Sequence, residues 1–176
     1  MSRPPATHRP ALRYYGSGWT RAAWTVAHFP PHNVYCEPCF GAGAVLYHKP
    51  PCKLEIVNDI DGRVMAFFDV LRNRPEELIA RLELTPWHEA EYLRALNSAD
   101  DPLEDARRFF VSCWQSVKGG PAAGASDFRW QKTLTRRNPA PADVRALGHL
   151  RAWAERLRQV GMVQKQAEHL YKLTSL

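Results

Sequence analysis

The sequence predicts an α/β fold, and three adjoining stretches predict it. Val34-Tyr35-Cys36 is a short apolar run with the length and residue types of a buried strand, closed by Pro38. Gly41-Ala42-Gly43 follows as a small-residue turn, and Ala44-Val45-Leu46 behind it can begin a helix. A second strand candidate, Leu54-Glu55-Ile56-Val57, then runs into Asn58-Asp59. Glycines let the backbone come close to a ligand, and the helix N-terminus behind them faces the same ligand. An acidic residue about 20 positions further on is where a doubly wound sheet offers a carboxylate to ribose hydroxyls. Together these stretches read as half of a nucleotide-type site. The turn is not a full GxGxxG, and the spacing alone fits a purely structural turn equally well.

The remaining elements follow in order. Residues 1–11 hold three prolines and several polar side chains and read as a flexible leader. Tyr14 and Tyr15 with Gly16 and Gly18 suggest a loop that lays aromatic surface against something flat or apolar. From Thr20 to Phe29, Ala23, Trp24 and Ala27 have helical spacing, and Pro30-Pro31 stops that scaffold helix. Asp61 can cap a helix whose inner face carries Val64, Phe67, Phe68 and Leu71. Pro75 starts a helix with Leu78, Ile79 and Leu82, and Thr85-Pro86 restarts the chain as another through Leu96. Glu76, Glu77, Glu89 and Glu91 on these helices read as a solvated face. Asp101-Pro102 opens a longer helix, Leu103 to Lys118, that Gly119-Gly120 should stop. Asp143 to Val160 places Val144, Leu147, Leu150, Trp153, Leu157 and Val160 at helical spacing before Gly161. Met162 to Leu176 offers a short apolar start and no clear strand.

At 176 residues the chain suits one domain and can bury a real core. No stretch approaches the about 18 apolar residues of a membrane span, and Met1 to Pro10 has no signal-peptide core, which points to a cytoplasmic protein with no membrane partner. A net charge of +6 and a pI near 9.4 favour a polyanionic partner. Cys36, Cys39, His48 and Cys52 can be drawn as a zinc site, which would make this a small zinc-binding protein. The competing reading treats Cys36 and Cys39 as small buried hydrophobes beside the turn, with no metal ligands in the chain. After the Asp101 helix, Phe128-Arg129-Trp130-Gln131-Lys132-Thr133-Leu134-Thr135-Arg136-Arg137-Asn138 interleaves four cations with aromatic and hydroxyl side chains. Such a segment can neutralise phosphates while offering flat surface to bases, or can simply be a solvated basic loop.

Three motifs resemble those of the Dam-type, D12 class DNA adenine methyltransferases, in the family's order. Glu37-Pro38-Cys39-Phe40-Gly41-Ala42-Gly43-Ala44-Val45-Leu46 resembles its first cofactor motif, Asn58-Asp59-Ile60-Asp61 its second, and Leu12-Arg13-Tyr14-Tyr15-Gly16-Ser17-Gly18-Trp19 its N-terminal motif. Phe109-Phe110-Val111-Ser112-Cys113-Trp114-Gln115-Ser116 is similar to the helix by which the family enters its DNA-recognition insert. The resemblance implies a partial Rossmann-like, S-adenosylmethionine-dependent methyltransferase fold with a helical DNA-recognition insert. It implies cofactor contacts at Tyr14, Tyr15, Gly16, Gly18, Glu37, Phe40, Gly41, Gly43 and Asp59. It also implies contacts to double-stranded DNA at Arg129, Trp130, Lys132, Arg136 and Arg137. The implied organisation is a leader over 1–11, a cofactor part over 12–73, a helical insert with the basic segment over 74–160 and an irregular tail over 161–176. At Gly18 the family's lysine is replaced, which removes a cation from the pocket.

The family positions the adenine amine with an Asp/Asn-Pro-Pro-Tyr/Phe motif at the end of a later strand, and the 176 residues contain no such tetrapeptide. Asp101-Pro102-Leu103 opens a helix, and Asn138-Pro139-Ala140-Pro141 lacks the aromatic, so no catalytic residue is assigned. The resemblance covers Leu12 to Arg158 and implies a shortened or frame-disrupted member, inactive alone. It equally accommodates a non-catalytic DNA-binding remnant, or the cofactor half of a split enzyme that needs a second polypeptide.

Overall fold

The structure, a computed structural model, describes residues 9–120, 124, 127–129 and 147–170. Three parallel strands carry the site: β1 (Val34–Glu37), β2 (Leu54–Asn58) and β3 (Gly161–Val163), in the order β1-β2-β3. Tyr35 lies opposite Glu55 and Glu37 opposite Val57, while Ile56 lies opposite Gly161. Among the described residues seven α-helices accompany them. These are α1 (Trp19–Ala27), α2 (Ala44–His48), α3 (Gly62–Asn73), α4 (Pro75–Glu83), α5 (Glu89–Ala95), α6 (Pro102–Trp114) and α7 (His149–Leu157). The crossover from β1 to β2 holds only the short α2, whereas that from β2 to β3 holds everything from α3 to α7. The result is a mixed α/β protein with a small parallel sheet.

Local chemistry sets most boundaries. Asp61 caps α3 by accepting the Arg63 N–H at 3.0 Å, and Asp101 caps α6 by accepting that of Leu103 at 3.3 Å. Pro75 and Pro102 stand in the first turns of α4 and α6, where no intrahelical donor is needed. Val64, Phe67, Phe68 and Leu71 of α3 are buried as their spacing predicts, as are Leu78, Ile79 and Leu82 of α4. One continuous core joins these residues to Leu46 and Val57 of the strand region, to Phe109 and Phe110 of α6, and to Leu150, Trp153 and Leu157 of α7. Burying each large side chain contributes about 1.5 to 3 kcal/mol, so this cluster dominates the stability.

Several expectations are corrected. The stretch from Gly161 opens with a strand, not an irregular tail, because its backbone completes the free edge of β2. Residues 9–11 are held rather than loose: Ala11 and Leu12 are fully buried, and the indole N–H groups of Trp153 and Trp114 donate to the Arg9 and Ala11 carbonyls at 2.9 and 3.2 Å. Helix α1 turns the other way from its predicted face. Ala22 is its buried residue and Trp19 packs on Tyr47 and Trp153, while Ala23 and Ala27 are exposed and Trp24 is 69% exposed. Helix α5 begins at Glu89, with the His88 ring accepting the Ala90 N–H, rather than directly after Pro86. Glu91 is not on a solvated face; it is buried and paired with Arg107 at 2.6 Å and Arg94 at 3.0 Å. Helix α6 stops at Trp114, because Ser116 leaves it to bridge with Phe128. Within the predicted 143–160 helix the described helical residues are His149–Leu157, and Val144 lies outside the described residues.

Candidate functional site

The carboxyl ends of β1 and β2 meet at the glycine turn. Asp59, buried just past β2, accepts the Gly41 N–H through Oδ2 at 2.7 Å and the Asp61 N–H through Oδ1 at 3.0 Å. The carboxylate therefore bolts the turn to the end of β2. Next to it Asn58 uses its whole amide: Nδ2 donates to the carbonyls of Pro38 and Lys165 at 2.9 and 3.0 Å, and Oδ1 accepts the Lys165 N–H at 2.8 Å. One buried side chain thus ties the exits of all three strands together, a role that an Asn at a strand end does not announce in sequence.

Gly43 adopts φ +66°, and a Cβ there would lie 2.6 Å from Phe40 and 2.9 Å from Trp153. It is a packing glycine, filled from behind by the core, and no ligand is needed to explain it. Over Gly41 lies the Tyr14 ring, whose hydroxyl donates to Asp61 Oδ2 at 3.1 Å. Burial and the neighbouring Asp61 charge push the Tyr14 phenol well above its ordinary range, so it remains a donor. Phe40 is buried against Phe68 at 4.7 Å; its backbone shapes the turn while its side chain belongs to the core.

Glu37 occupies the place expected for a ligand at the start of α2. Its Oε2 accepts the Leu46 N–H at 3.2 Å and the Tyr35 hydroxyl at 2.9 Å. Helix α2 has a single turn, so the protein satisfies that helix start itself. Burial pushes the Glu37 carboxyl up to about 7, with the Asp59 charge acting in the same direction.

Of the predicted loop residues, Tyr15 is 63% exposed and Gly16 faces open space, while Gly18 precedes α1 in a left-handed conformation. The structure thus gathers Tyr14, Glu37, Gly41, Asp59 and Asp61 at one end of the sheet, with Gly16 and Tyr15 in the loop that continues from Tyr14. Sequence reasoning passed over Asp61 as a site residue and Ile60, which stands 63% exposed between two carboxylates. An exposed isoleucine in an otherwise polar turn is the one signal that was available for it.

For the second predicted surface, Arg129 is half-buried, donates its N–H to the Gln115 carbonyl at 2.7 Å, and accepts the Trp87 indole at 3.1 Å. Trp130, Lys132, Arg136 and Arg137 lie outside the described residues. The zinc arrangement does not form: among the described residues no three His, Cys, Asp or Glu side chains come together to hold a metal. His48 instead bonds the Ala44 carbonyl at 2.7 Å and packs on Trp19. Cys36 is only half-buried and Cys39 is exposed, so neither is the buried hydrophobe expected. Among the described residues no helix is long and apolar enough to cross a membrane.

Parallel strands joined through a helix, with a turn and carboxyl groups at their carboxyl ends, define an α/β protein, and the carboxyl ends of the strands are where such sheets commonly bind ligands. Residues 14–118, more than half of the chain, match the family model of the D12 class N6 adenine-specific DNA methyltransferases, and the chain belongs to that family. The match begins at Tyr14, over the turn, and ends just past α6. No curated protein sequence matches the chain.

Proposed function

We propose that this chain is the cofactor-binding part of a Rossmann-like DNA adenine methyltransferase. It holds S-adenosylmethionine at the carboxyl ends of β1 and β2 and meets double-stranded DNA through the segment that starts at Arg129. The observation that carries this reading is the collection of three carboxyl groups, Glu37, Asp59 and Asp61, around one glycine turn. The Asp59 and Asp61 carboxylates repel a phosphorylated dinucleotide and attract a ligand that bears a sulfonium and an ammonium, while Glu37, pushed up to about 7 by burial, adds little charge. The open space at Gly16 and the exposed Tyr15 and Ile60 leave room for the flat part of that ligand. Each oxygen of Asp59 retains a lone pair after its one backbone bond, so the same carboxylate can accept ribose hydroxyls. Glu37 and Tyr14 act chiefly through the turn: one fixes the start of α2, the other lines the floor beside Asp61.

When bound, the cofactor supplies an electrophilic methyl group. The adenine amine is a poor nucleophile whose lone pair is delocalised into the ring, and it needs hydrogen-bond acceptors that position it and offset developing charge. The 176 residues offer no Asp-Pro-Pro-Tyr for this; Glu37 and Asp61 hold backbone N–H groups of α2 and α3, and Asp59 holds that of Gly41 and in this reading gives its remaining lone pairs to the cofactor. The reading therefore assigns the acceptors to residues outside these 176, whether in the same or in a second polypeptide. Losing positioning and electrostatic assistance together removes about 7 kcal/mol or more of barrier lowering, over five powers of ten in rate. Incubation of the purified chain with labelled S-adenosylmethionine and unmethylated duplex of mixed sequence should leave the DNA unlabelled. Label entering adenine at about one turnover per minute would overturn the division of labour.

A further inference from the structure

A cleft of about 690 Å³ lies between the segment that enters β2 and the end of α7, with Tyr47 and Pro51 supplying apolar wall. It sits at the amino end of β2: Glu55, which lines it, precedes Asp59 by about 13 Å along an extended strand. The cleft is therefore separate from the candidate cofactor site at the carboxyl ends.

Two cations share the one buried carboxylate of Glu55. Lys49 Nζ donates to Oε1 at 2.6 Å, and Arg156 donates from Nη1 to Oε2 at 2.5 Å and from Nη2 to Oε1 at 2.7 Å. The side chains of Lys49, Glu55 and Arg156 are only 0, 4 and 14% exposed, so the trio withdraws a surplus positive charge from water. The neighbouring Glu37 carboxyl does not balance it, being bonded to Tyr35 and Leu46 instead. Arg156 Nε is also buried and meets no acceptor among the described residues. A charged donor held away from water without an acceptor is costly, and an anion close by offsets that cost. Two more cations line the cleft. Lys53 is exposed and has no ion pair among the described residues, and Arg158 pairs with Glu155 where both are largely exposed, a contact that competing ions replace at little cost.

We propose that this cleft is a second ligand site that takes a small phosphate ester. Lys53 and Arg158 hold the phosphate, the surplus charge of the Lys49–Glu55–Arg156 trio supports it, and the rest of the molecule lies on Tyr47, itself stacked on Trp153 at 4.4 Å. The volume suits a ligand of that size. Glu55 and Glu155 in the same wall repel the further phosphates of a polyanion, so a compact ligand is favoured over a duplex.

The test titrates the isotope-labelled full chain with phenyl phosphate at constant ionic strength, read at the Arg156 Nε–H resonance and by calorimetry. The resonance should move saturably, with a dissociation constant of about 1 mM or tighter. Lys53→Ala combined with Arg158→Ala should weaken binding about ten-fold or more and leave the melting temperature unchanged, since both side chains are exposed. Added S-adenosylhomocysteine should leave the response in place, which keeps this outcome independent of the cofactor reading. A response that does not saturate, or that persists undiminished in the double variant, overturns the inference. So does equal competition by sulfate, which marks an adventitious ion only. Displacement by a short duplex assigns the phosphate to DNA, and displacement by S-adenosylhomocysteine assigns the probe to the cofactor site; either overturns a separate site for a small ester.

Discussion

Replacing Asp59 separates the structural from the ligand-binding part of the site. In Asp59→Ala two backbone donors, Gly41 N–H at 2.7 Å and Asp61 N–H at 3.0 Å, lose their carboxylate. A hydrogen bond to a charged group contributes about 1.5 to 3 kcal/mol, so the two together predict a loss of about 3 kcal/mol of folding stability even with partial solvation of the freed groups. For a chain of this size that is roughly 6 to 12 °C in melting temperature. Asp59→Asn keeps the shape and one acceptor while turning a donor toward the other N–H, and should fall between the two. Binding should suffer independently: losing the acceptor for ribose hydroxyls weakens S-adenosylhomocysteine on the order of 10- to 150-fold. Urea denaturation measures the first effect, and calorimetry below the melting range measures the second. An Asp59→Ala variant that melts within about 2 °C of the native protein and binds the product equally well would refute both the bolt and the contact.

Further outcomes follow from the same geometry. Glu37, pushed up to about 7 from an ordinary value near 4.5, remains protonated in the folded chain at pH values where the unfolded chain has already lost that proton. Its contribution is therefore fully present below about pH 4.5 and is lost as pH rises to about 7, on the order of 3 kcal/mol at most. Stability curves of Glu37→Gln should lack that decline, and a native curve that climbs steadily from pH 5 to 7 with no difference from the variant would contradict it. DNA affinity should fall with salt with a log–log slope of about −0.9 per phosphate contact. Replacing Arg129, Lys132, Arg136 and Arg137 by alanine together should flatten that slope, and an unchanged slope would place DNA elsewhere.

What was legible in the sequence was local. The stretch Val34 to Asp61 announced two strands, a turn and a helix start, because each depends on neighbours within a few residues, and Asp61 and Pro75 marked helix starts for the same reason. What escaped depends on partners far along the chain. Strand β3 has three residues and begins with a glycine; only pairing with β2, about a hundred positions earlier, makes it a strand. The buried face of α1 is chosen by Trp19 meeting Tyr47 and Trp153, and helical spacing alone pointed to Trp24 instead. Helix α6 ends early because Ser116 finds Phe128. In the candidate site, residue types singled out Asp59 and Glu37, but not that Asp59 would hold the Gly41 N–H of the turn and Glu37 the Leu46 N–H of α2, nor that Arg13 would reach Ser116 and Val117. Those roles are set by where the two chain segments meet.

The most direct test of the account is equilibrium dialysis of the purified chain against labelled S-adenosylmethionine. Saturable retention of about one equivalent, displaced by S-adenosylhomocysteine and weakened in Asp59→Ala measured below its melting range, is the predicted result. A folded chain that retains no label at millimolar cofactor would contradict the claim that the carboxyl ends of β1 and β2 form a cofactor site.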